Sequence, residues 1–250
     1  MNANPSANLS DLPAQVAEFA RRSVAIGLNQ GTSGNVSARS PEGFWITPSG
    51  RDMSGLAAND IVEVPMQAPS PLRGEGRGEG GAGEAGQSDG TTHPHPTPSP
   101  LKGEGPRPSS EWRFHRDIYA AFPQARAVVH AHSPFAVALA CLRRDLPPFH
   151  YMVAMAGGSD IRCAAYATFG TQALSDAVVT ALQDRRACLM ANHGLVAWGA
   201  SLDAALALAV EVEALCGQYL RACQVGEPVL LSAAEMAEVL ERFKDYGARR

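Results

Sequence analysis

The amino-acid sequence predicts an α/β domain, in which strands in the middle of the chain are layered against helices between them and at both ends. Two observations support this prediction. Apolar residues recur at helical spacing near both termini, and the central apolar segments are short and bounded by glycine, proline and serine. A length of 250 residues with 45% hydrophobic residues suffices for one domain with a substantial core.

The first part of the chain predicts one helix and three short strands. The helix carries an apolar face that includes Val16, Phe19 and Val24. Three short apolar segments separated by turn residues predict strands, at Val36–Ala38, Phe44–Thr47 and Ile61–Val64.

The stretch Pro65–Pro108 interrupts this pattern. It holds nine of the 18 prolines and ten of the 24 glycines, and almost no large apolar residues. It also contains a near-repeat, which begins at Pro69 and again at Pro98. Such a composition buries too little apolar surface to offset the entropy of ordering the chain. We therefore expect residues 65–108 to be a disordered, low-complexity insert within a single domain that spans residues 1–250.

Helices and strands are interspersed beyond this insert. Helical spacing predicts five helices, which begin near Ser110, Pro134, Thr171, Ser201 and Ser232. Apolar segments predict three strands, at Ala127–His130, Cys188–Ala191 and Leu195–Trp198. The last helix opens with a capping box, in which Ser232 and Glu235 satisfy each other's backbone N–H groups.

Composition excludes several classes of function. A net charge of −4 is not typical of a nucleic-acid-binding surface. The sequence shows neither a signal-peptide pattern nor a run of 18 apolar residues, so we expect a soluble, cytoplasmic protein without membrane or nucleic-acid partners. Five scattered cysteines, with no CxxC pair, predict reduced and mostly buried thiols: Cys141, Cys163, Cys188, Cys216 and Cys223.

Two histidines at the end of a predicted strand form the first chemical motif. Side chains two residues apart point to the same side of a strand, so His130 and His132 face one point. Such a pair suits zinc or a similar transition metal, although an incidental pair is as consistent with the spacing. His93 and His95 have the same spacing but lie in the insert, where nothing fixes their geometry, so they receive no role.

His193 stands in a polar trio between two predicted strands, flanked by Asn192 and Gly194. Alone it predicts only a hydrogen-bonded turn residue, but with the HxH pair it can complete a set of three histidines. Glu111 lies at the start of a predicted helix. Beside a metal, its carboxylate could alternate between weak ligand and general base, whereas the segment around it could also be a plain helix cap.

Two glycine-rich turns and a pair of serines indicate an anion site. The run Asn29–Asn35 and the turn Thr47–Gly50 combine small residues with hydroxyls, which suits a backbone nest for phosphate. Ser109 and Ser110 precede a helix, whose free N–H groups and dipole favour an anion. The turns contain no lysine and no GxxxxGK motif, which argues against a nucleotide P-loop.

Together these motifs resemble the class II aldolase/adducin family, from about Leu12 to Gly247 apart from the insert. The matching blocks are Gly27–Thr32, Gly34–Ser37, Ile46–Pro48, Ser109–His115, His150–Met152, Ala156–Gly158, Ala167–Thr171, His193–Leu195 and Lys244–Gly247. Two positions depart from the fuculose-phosphate members of the family: Ala131 replaces a polar residue, and Asn192 replaces a histidine.

The resemblance implies a three-layer α/β/α sandwich around a mostly antiparallel sheet, assembled as a homotetramer with active sites between subunits. It implies Zn²⁺, or another divalent metal, held by His130, His132, His193 and Glu111, with Glu111 also acting as catalytic base. It places the substrate phosphate on seven residues: Thr32, Gly34, Asn35, Ser49, Gly50, Ser109 and Ser110. It also implies that Tyr151 handles the proton on the aldehyde oxygen in a neighbouring subunit's site, with support from Tyr246.

The implied reaction is cleavage of L-fuculose 1-phosphate, or a similar ketose 1-phosphate, to dihydroxyacetone phosphate and an aldehyde such as L-lactaldehyde. A zinc-stabilised enediolate would be the intermediate. Other members of the family remain open as alternatives: a methylthio-sugar-phosphate dehydratase or aldolase, a sugar-phosphate 4-epimerase, or a non-catalytic adducin-like scaffold.

Overall fold

The computed structural model of the chain describes residues 11–67 and 105–245. Its strands are β1 (Asn35–Arg39), β2 (Gly43–Ile46), β3 (Val62–Pro65), β4 (Ala127–Ala131), β5 (Cys163–Ala164), β6 (Ala187–Met190) and β7 (Gly194–Gly199). They form one sheet in the order β3-β2-β1-β4-β7-β6-β5. Every neighbouring pair is antiparallel except β5 and β6, which run parallel. The predicted mostly antiparallel sheet is therefore confirmed.

Helices cover both faces of this sheet. They are α1 (Leu12–Ala25), α2 (Trp112–Ala121), α3 (Pro134–Ala140), α4 (Gln172–Ala181), α5 (Leu202–Val225) and α6 (Ala233–Asp245). Helices α1, α3 and α5 pack on one face, and α2 and α4 pack together on the other. This arrangement confirms the three-layer α/β/α architecture. Among the described residues, no helix is long and apolar enough to cross a membrane.

Alternate side chains of strand β4 point to opposite faces of the sheet, and one face carries His130. Ala127, Val129 and Ala131 belong to the core beneath α1, α3 and α5, whereas Val128 belongs to the core beneath α2 and α4. Because side chains alternate along a strand, His130 also points toward α2. Asn35 of β1 pairs with His130 across the sheet, so the two side chains stand next to each other on this face.

The helices and strands predicted from the sequence are all present, with ends that differ by a few residues. The capping box of α6 is also present, since Glu235 N–H donates to Ser232 Oγ at 3.2 Å and Ser232 N–H donates to Glu235 Oε2 at 2.7 Å. The sequence did not predict β5 or the 3-10 segment Tyr151–Ala156. A strand of two residues is too short to show an alternating pattern.

The expectation of mostly buried cysteines was wrong. Cys188 and Cys216 are buried and Cys163 is half-buried, but Cys141 and Cys223 are exposed. Both exposed thiols lie at or near the end of a helix, at α3 and α5, where apolar neighbours in sequence do not imply burial. All five are free thiols, as predicted. Most of the predicted insert, residues 68–104, lies outside the described residues, so its predicted disorder stays a prediction.

Candidate active site

Three histidine rings and one carboxylate converge at the end of β4. The rings of His130, His132 and His193 form a nearly equilateral triangle, with centroid separations of 4.7–4.8 Å. His130 Nε2 lies 2.9 Å from His132 Nε2 and 3.1 Å from Glu111 Oε2. Glu111 Oε1 lies 3.1 Å from His193 Nε2. The structure thus brings together all four predicted metal ligands, whose ligand atoms lie within 4.8 Å of one another.

This donor set fits a divalent transition metal. A tetrahedral zinc ion with bonds of about 2.0–2.1 Å separates its ligands by roughly 3.3 Å, close to the three separations of 2.9–3.1 Å within this cluster. Glu111 Oε1 is buried, and although it lies 3.1 Å from His193 Nε2, no described residue forms a hydrogen bond of acceptable geometry with it. A buried carboxylate oxygen without a donor is costly unless a cation satisfies it. Three imidazoles and a carboxylate are ligands that zinc prefers.

The protonation of these side chains also suits a cation. Burial, together with His130 and His193 beside it, lowers the pKa of His132 to about 3, so that its ring is neutral. Burial disfavours the charged form of Glu111, but His130 and His193 outweigh this effect and hold the pKa of the carboxyl well below its usual range. The cluster therefore offers a neutral His132 ring and a carboxylate.

The loop that follows α1 holds the HxH segment in place. Asn29 is 1% exposed; its Nδ2 donates to the carbonyl oxygen of His130 at 3.3 Å, and its Oδ1 accepts from the N–H of His132 at 3.2 Å. This contact leaves no room for a side chain at Gly34. A Cβ there would stand 2.3 Å from Asn29 Oδ1, and the φ of +77° is one that glycine adopts without strain.

The β6–β7 junction positions His193 and orients His130. The backbone passes Ala131 so closely that a Cβ on Gly194 would lie 2.3 Å from the Ala131 carbonyl oxygen. On β7, the Leu195 carbonyl oxygen accepts a hydrogen bond from His130 Nδ1 at 2.8 Å. In the neutral form that a metal ligand requires, this hydrogen bond would place the ring hydrogen on Nδ1 and leave the Nε2 lone pair for the metal, as in many metal sites.

A cavity of about 340 Å³ opens beside the cluster, within the size range of small-molecule sites. Glu111, His132 and His193 form one wall. All seven residues predicted to bind phosphate line it as well: Thr32, Gly34, Asn35, Ser49, Gly50, Ser109 and Ser110. The Thr47–Gly50 turn is joined to the serines because Ser109 N–H donates to the Thr47 carbonyl oxygen at 3.1 Å, next to a bridge between Pro48 and Pro108. The run Asn29–Asn35 is joined to them through Asn35 Nδ2, which donates to Ser109 Oγ at 3.1 Å.

The fold and this geometry can be compared with known proteins. The family model described as the Class II Aldolase and Adducin N-terminal domain matches residues 14–220. The chain belongs to this class II aldolase and adducin family.

Three similar proteins of the class II aldolase and adducin family are named as aldolases. A Rhodospirillum rubrum protein named 5-methylthioribulose-1-phosphate/5-deoxyribulose-1-phosphate aldolase is 49% identical over 231 residues, which cover 92% of this chain and 90% of that protein. An L-fuculose phosphate aldolase of Escherichia coli K12 is 41% identical over 239 residues, 95% of this chain and 96% of that protein. A solved L-fuculose 1-phosphate aldolase superposes with a TM-score of 0.77 at 34% identity, covering 94% and 97% of the two chains.

Tyr151, one of the two tyrosines expected from the class II aldolase and adducin family, does not line this cavity. Tyr151 is 50% exposed and lies in a separate cavity beside Val239 and Phe243 of α6. Tyr246 lies outside the described residues.

Sequence reasoning missed two aromatic side chains of the cavity wall. Tyr166 and Phe169 lie between β5 and α4, and are 57% and 66% exposed. They sit in an irregular segment, where no periodic pattern signals a role; only the matching block that contains Phe169 pointed to this region.

Proposed function

We propose that this chain is a class II aldolase that cleaves a ketose 1-phosphate to dihydroxyacetone phosphate and an aldehyde. The observation that supports it best is the convergence of His130, His132, His193 and Glu111 beside a cavity that the last three of these residues line together with hydroxyls and glycine backbone. These four residues would hold a divalent metal, zinc by the chemistry of the donor set. When bound, that ion would supply an electrophile that stabilises negative charge on the substrate's carbonyl and hydroxyl oxygens.

The substrate phosphate binds at the part of the cavity that these hydroxyls and glycines line, next to Glu111. Ser109 Oγ accepts hydrogen bonds from Asn35 Nδ2 at 3.1 Å and from the Glu111 N–H at 3.3 Å, so its own hydrogen is available to a phosphate oxygen. The turns that carry Thr32 and Ser49 add hydroxyls and backbone N–H groups. Asn35 supports this site by holding Ser109, since its amide nitrogen is already engaged there and at Glu111.

Glu111 is the proton carrier in this proposal. Cleavage of the carbon–carbon bond leaves a carbanion equivalent next to the substrate carbonyl, and that carbon needs a proton. The substrate hydroxyl that becomes the aldehyde oxygen gives up a proton in the same reaction, so the protons balance: Glu111 takes one up as a carboxylate and returns one to that carbon. This role requires the carboxylate to exchange between cluster and substrate. The sequence contains only two lysines, Lys102 and Lys244, and the described residues that line the cavity include no lysine, so no Schiff base is invoked.

Assembly completes the proposal. We assign residues 1–250 to one domain with residues 65–108 as an insert, and we place Tyr151 and Tyr246 at a neighbouring subunit's site in a tetramer. The exposure of Tyr151, away from its own chain's cavity, is consistent with that placement.

The named relatives narrow the substrate class. Fuculose 1-phosphate, 5-deoxyribulose 1-phosphate and 5-methylthioribulose 1-phosphate all carry the phosphate at one end and an apolar group at the other. The aromatic pair Tyr166 and Phe169 offers this chain an apolar surface for that end. We therefore propose a ketose 1-phosphate with a deoxygenated end as the substrate.

The test is release of dihydroxyacetone phosphate from each of these three sugars, with and without chelator. We expect release that the chelator abolishes and zinc restores. The aldehyde identifies the preferred sugar: lactaldehyde from fuculose, acetaldehyde from deoxyribulose and a methylthio-aldehyde from methylthioribulose. Consumption of a sugar without dihydroxyacetone phosphate would contradict the proposal in favour of a dehydratase or epimerase, and no consumption at all would favour a scaffold.

A variant isolates the role of Glu111. Glu111→Gln should retain the metal through the three histidines and lose turnover by about 10²–10⁴-fold, the usual contribution of a general acid–base group. Glu63→Gln on the edge strand β3 is the matched control, because its carboxylate is exposed and contacts only Ser40 among the described residues. Full activity of Glu111→Gln would remove Glu111 from the reaction.

A further inference from the structure

A chain of buried polar side chains runs from Glu111 into the core between the sheet and α2. Asn35 Nδ2 donates to Glu111 Oε2 at 2.9 Å, and Asn35 Oδ1 is hydrogen-bonded to His115 Nε2. Ser37 Oγ lies 2.7 Å from His115 Nδ1 and 2.7 Å from Tyr119 Oη. The four residues behind the carboxylate are at most 2% exposed, so water does not compete for these bonds.

The Glu111 carboxylate determines the donors and acceptors along this row of buried polar side chains. Glu111 can only accept, so Asn35 turns its NH₂ group to Glu111 and its carbonyl oxygen to His115. The hydrogen of the His115 ring must then be on Nε2, which leaves Nδ1 to accept from the Ser37 hydroxyl. Burial lowers the pKa of His115 to about 3, with His130 adding to the shift and Glu111 opposing it, so this ring is neutral.

His115 supplies the donor that Asn35 Oδ1 needs in this orientation of the amide, and so reinforces it. Ser109, the other partner of Asn35 Nδ2, has a hydroxyl that can donate or accept, so it tolerates either orientation. The reversed amide would point its oxygen at the Glu111 carboxylate, and two acceptors would face each other in a buried site. Without the Nε2–H of His115, the described residues contain no other donor bonded to Asn35 Oδ1.

We propose that His115, as the neutral Nε2–H tautomer, is a positioning residue that fixes the Asn35 amide and through it the Glu111 carboxylate. The role of Glu111 in turnover rests on the proposed function, whereas the positioning itself can be measured in protein without substrate.

Two substitutions at position 115 distinguish the hydrogen-bonding role of Nε2 from that of Nδ1. In His115→Gln the side-chain amide reaches the Nε2 position and can still donate to Asn35, whereas in His115→Asn it reaches only the Nδ1 position. His115→Phe keeps an aromatic ring and removes both nitrogens. Loss of a residue supporting a metal ligand typically costs about 10–100-fold in metal affinity or activity. We expect the Phe and Asn variants to lose zinc affinity and kcat at the lower end of this range, and the Gln variant to recover most of both.

Two matched controls exclude a merely structural effect. Tyr119→Phe removes the hydroxyl that lies farthest from Glu111 in this row of side chains but leaves the Ser37–His115–Asn35 contacts. Ile118→Val removes a buried methylene from the same helix. Both should lower the free energy of unfolding while zinc affinity stays near the wild-type value. If they lower zinc affinity as much as His115→Phe does, His115 acts only through stability and the proposal is wrong.

The ring tautomer provides a readout that needs neither folding of a variant nor activity. In ¹⁵N NMR spectra of the metal-free wild-type protein, His115 should show a protonated Nε2 and an unprotonated Nδ1. The opposite tautomer, or a doubly protonated ring at neutral pH, would overturn the proposal. If the tautomer and the zinc affinities follow the expectation but no sugar phosphate is cleaved, the proposed function fails and the positioning role stands.

Discussion

Substituting Gly34 with alanine tests the contact on which the HxH segment depends. Two costs add up at this position. An L-residue in the left-handed region costs about 1–2 kcal/mol. The new Cβ, 2.3 Å from Asn29 Oδ1 and 2.6 Å from the His130 carbonyl oxygen, also forces a shift in a packed site, for about 1–3 kcal/mol. We therefore expect the free energy of unfolding to fall by roughly 2–5 kcal/mol.

Gly31→Ala is the matched control for this substitution. Gly31 has a φ of +57°, and a Cβ there meets nothing within 4 Å, so only the backbone cost of about 1–2 kcal/mol applies. Urea unfolding measures both variants, and a zinc titration measures the site. Displacing Asn29 should weaken zinc binding by about 10–100-fold in Gly34→Ala alone. Equal destabilisation and equal zinc affinity of the two variants would refute the claim that Asn29 anchors the histidines.

Three further perturbations have defined outcomes. The Glu213 carboxylate caps α3, since it accepts hydrogen bonds from Ser133 Oγ and from two N–H groups at the start of that helix. Glu213→Ala should therefore lower the free energy of unfolding by about 2–4 kcal/mol in urea titrations. An unchanged free energy of unfolding would refute this capping role. Burial raises the pKa of Asp117, but hydrogen bonds from Arg116, Ser175 and Gln172 outweigh it and lower the pKa. The ionised Asp117 therefore stabilises the folded protein above the unfolded-state pKa of about 3.9, and this stabilisation is lost as pH falls through the lower folded-state pKa. Asp117→Asn should therefore flatten the fall of the urea unfolding midpoint below about pH 4. The same dependence of the midpoint on pH in variant and wild type would contradict this. Zinc at 100 times its Kd should stabilise the protein by about 2.7 kcal/mol and raise its Tm. Chelator should return the Tm of the wild-type protein to the metal-free value, and should leave the Tm of His193→Ala unchanged.

The sequence predicted the fold well because the relevant signals are local. Alternating or continuous apolar segments mark β4 and β7, and the helices carry regular apolar faces or capping residues. The pair His130 and His132 was predictable for the same reason, since strand geometry alone places both rings on one side. Burial of Cys141 was predicted wrongly because apolar neighbours in sequence say little about a residue at a helix end.

Non-local contacts account for what the sequence did not reveal. His193 lies 61 positions beyond His132 in the sequence, so spacing alone could not place it at the metal cluster; family resemblance did. The role of Asn29 depends on contacts with residues about a hundred positions away. His115 occupied a matching block, yet its link to Asn35 requires the register of β1 against β4 and the packing of α2 on the sheet.

The position of β4 between β1 and β7 has a consequence for how the protein matures. A slip of one residue in this strand would turn His130 into the α1–α3–α5 core and Val129 toward α2, exchanging a polar side chain for an apolar one in both layers. The two pairings that set the register join segments far apart in the chain, and closing such long loops costs entropy before the pairing is formed. A zinc ion therefore meets a complete ligand set only after the sheet has closed correctly, and metal uptake would report that the chain has reached its native register.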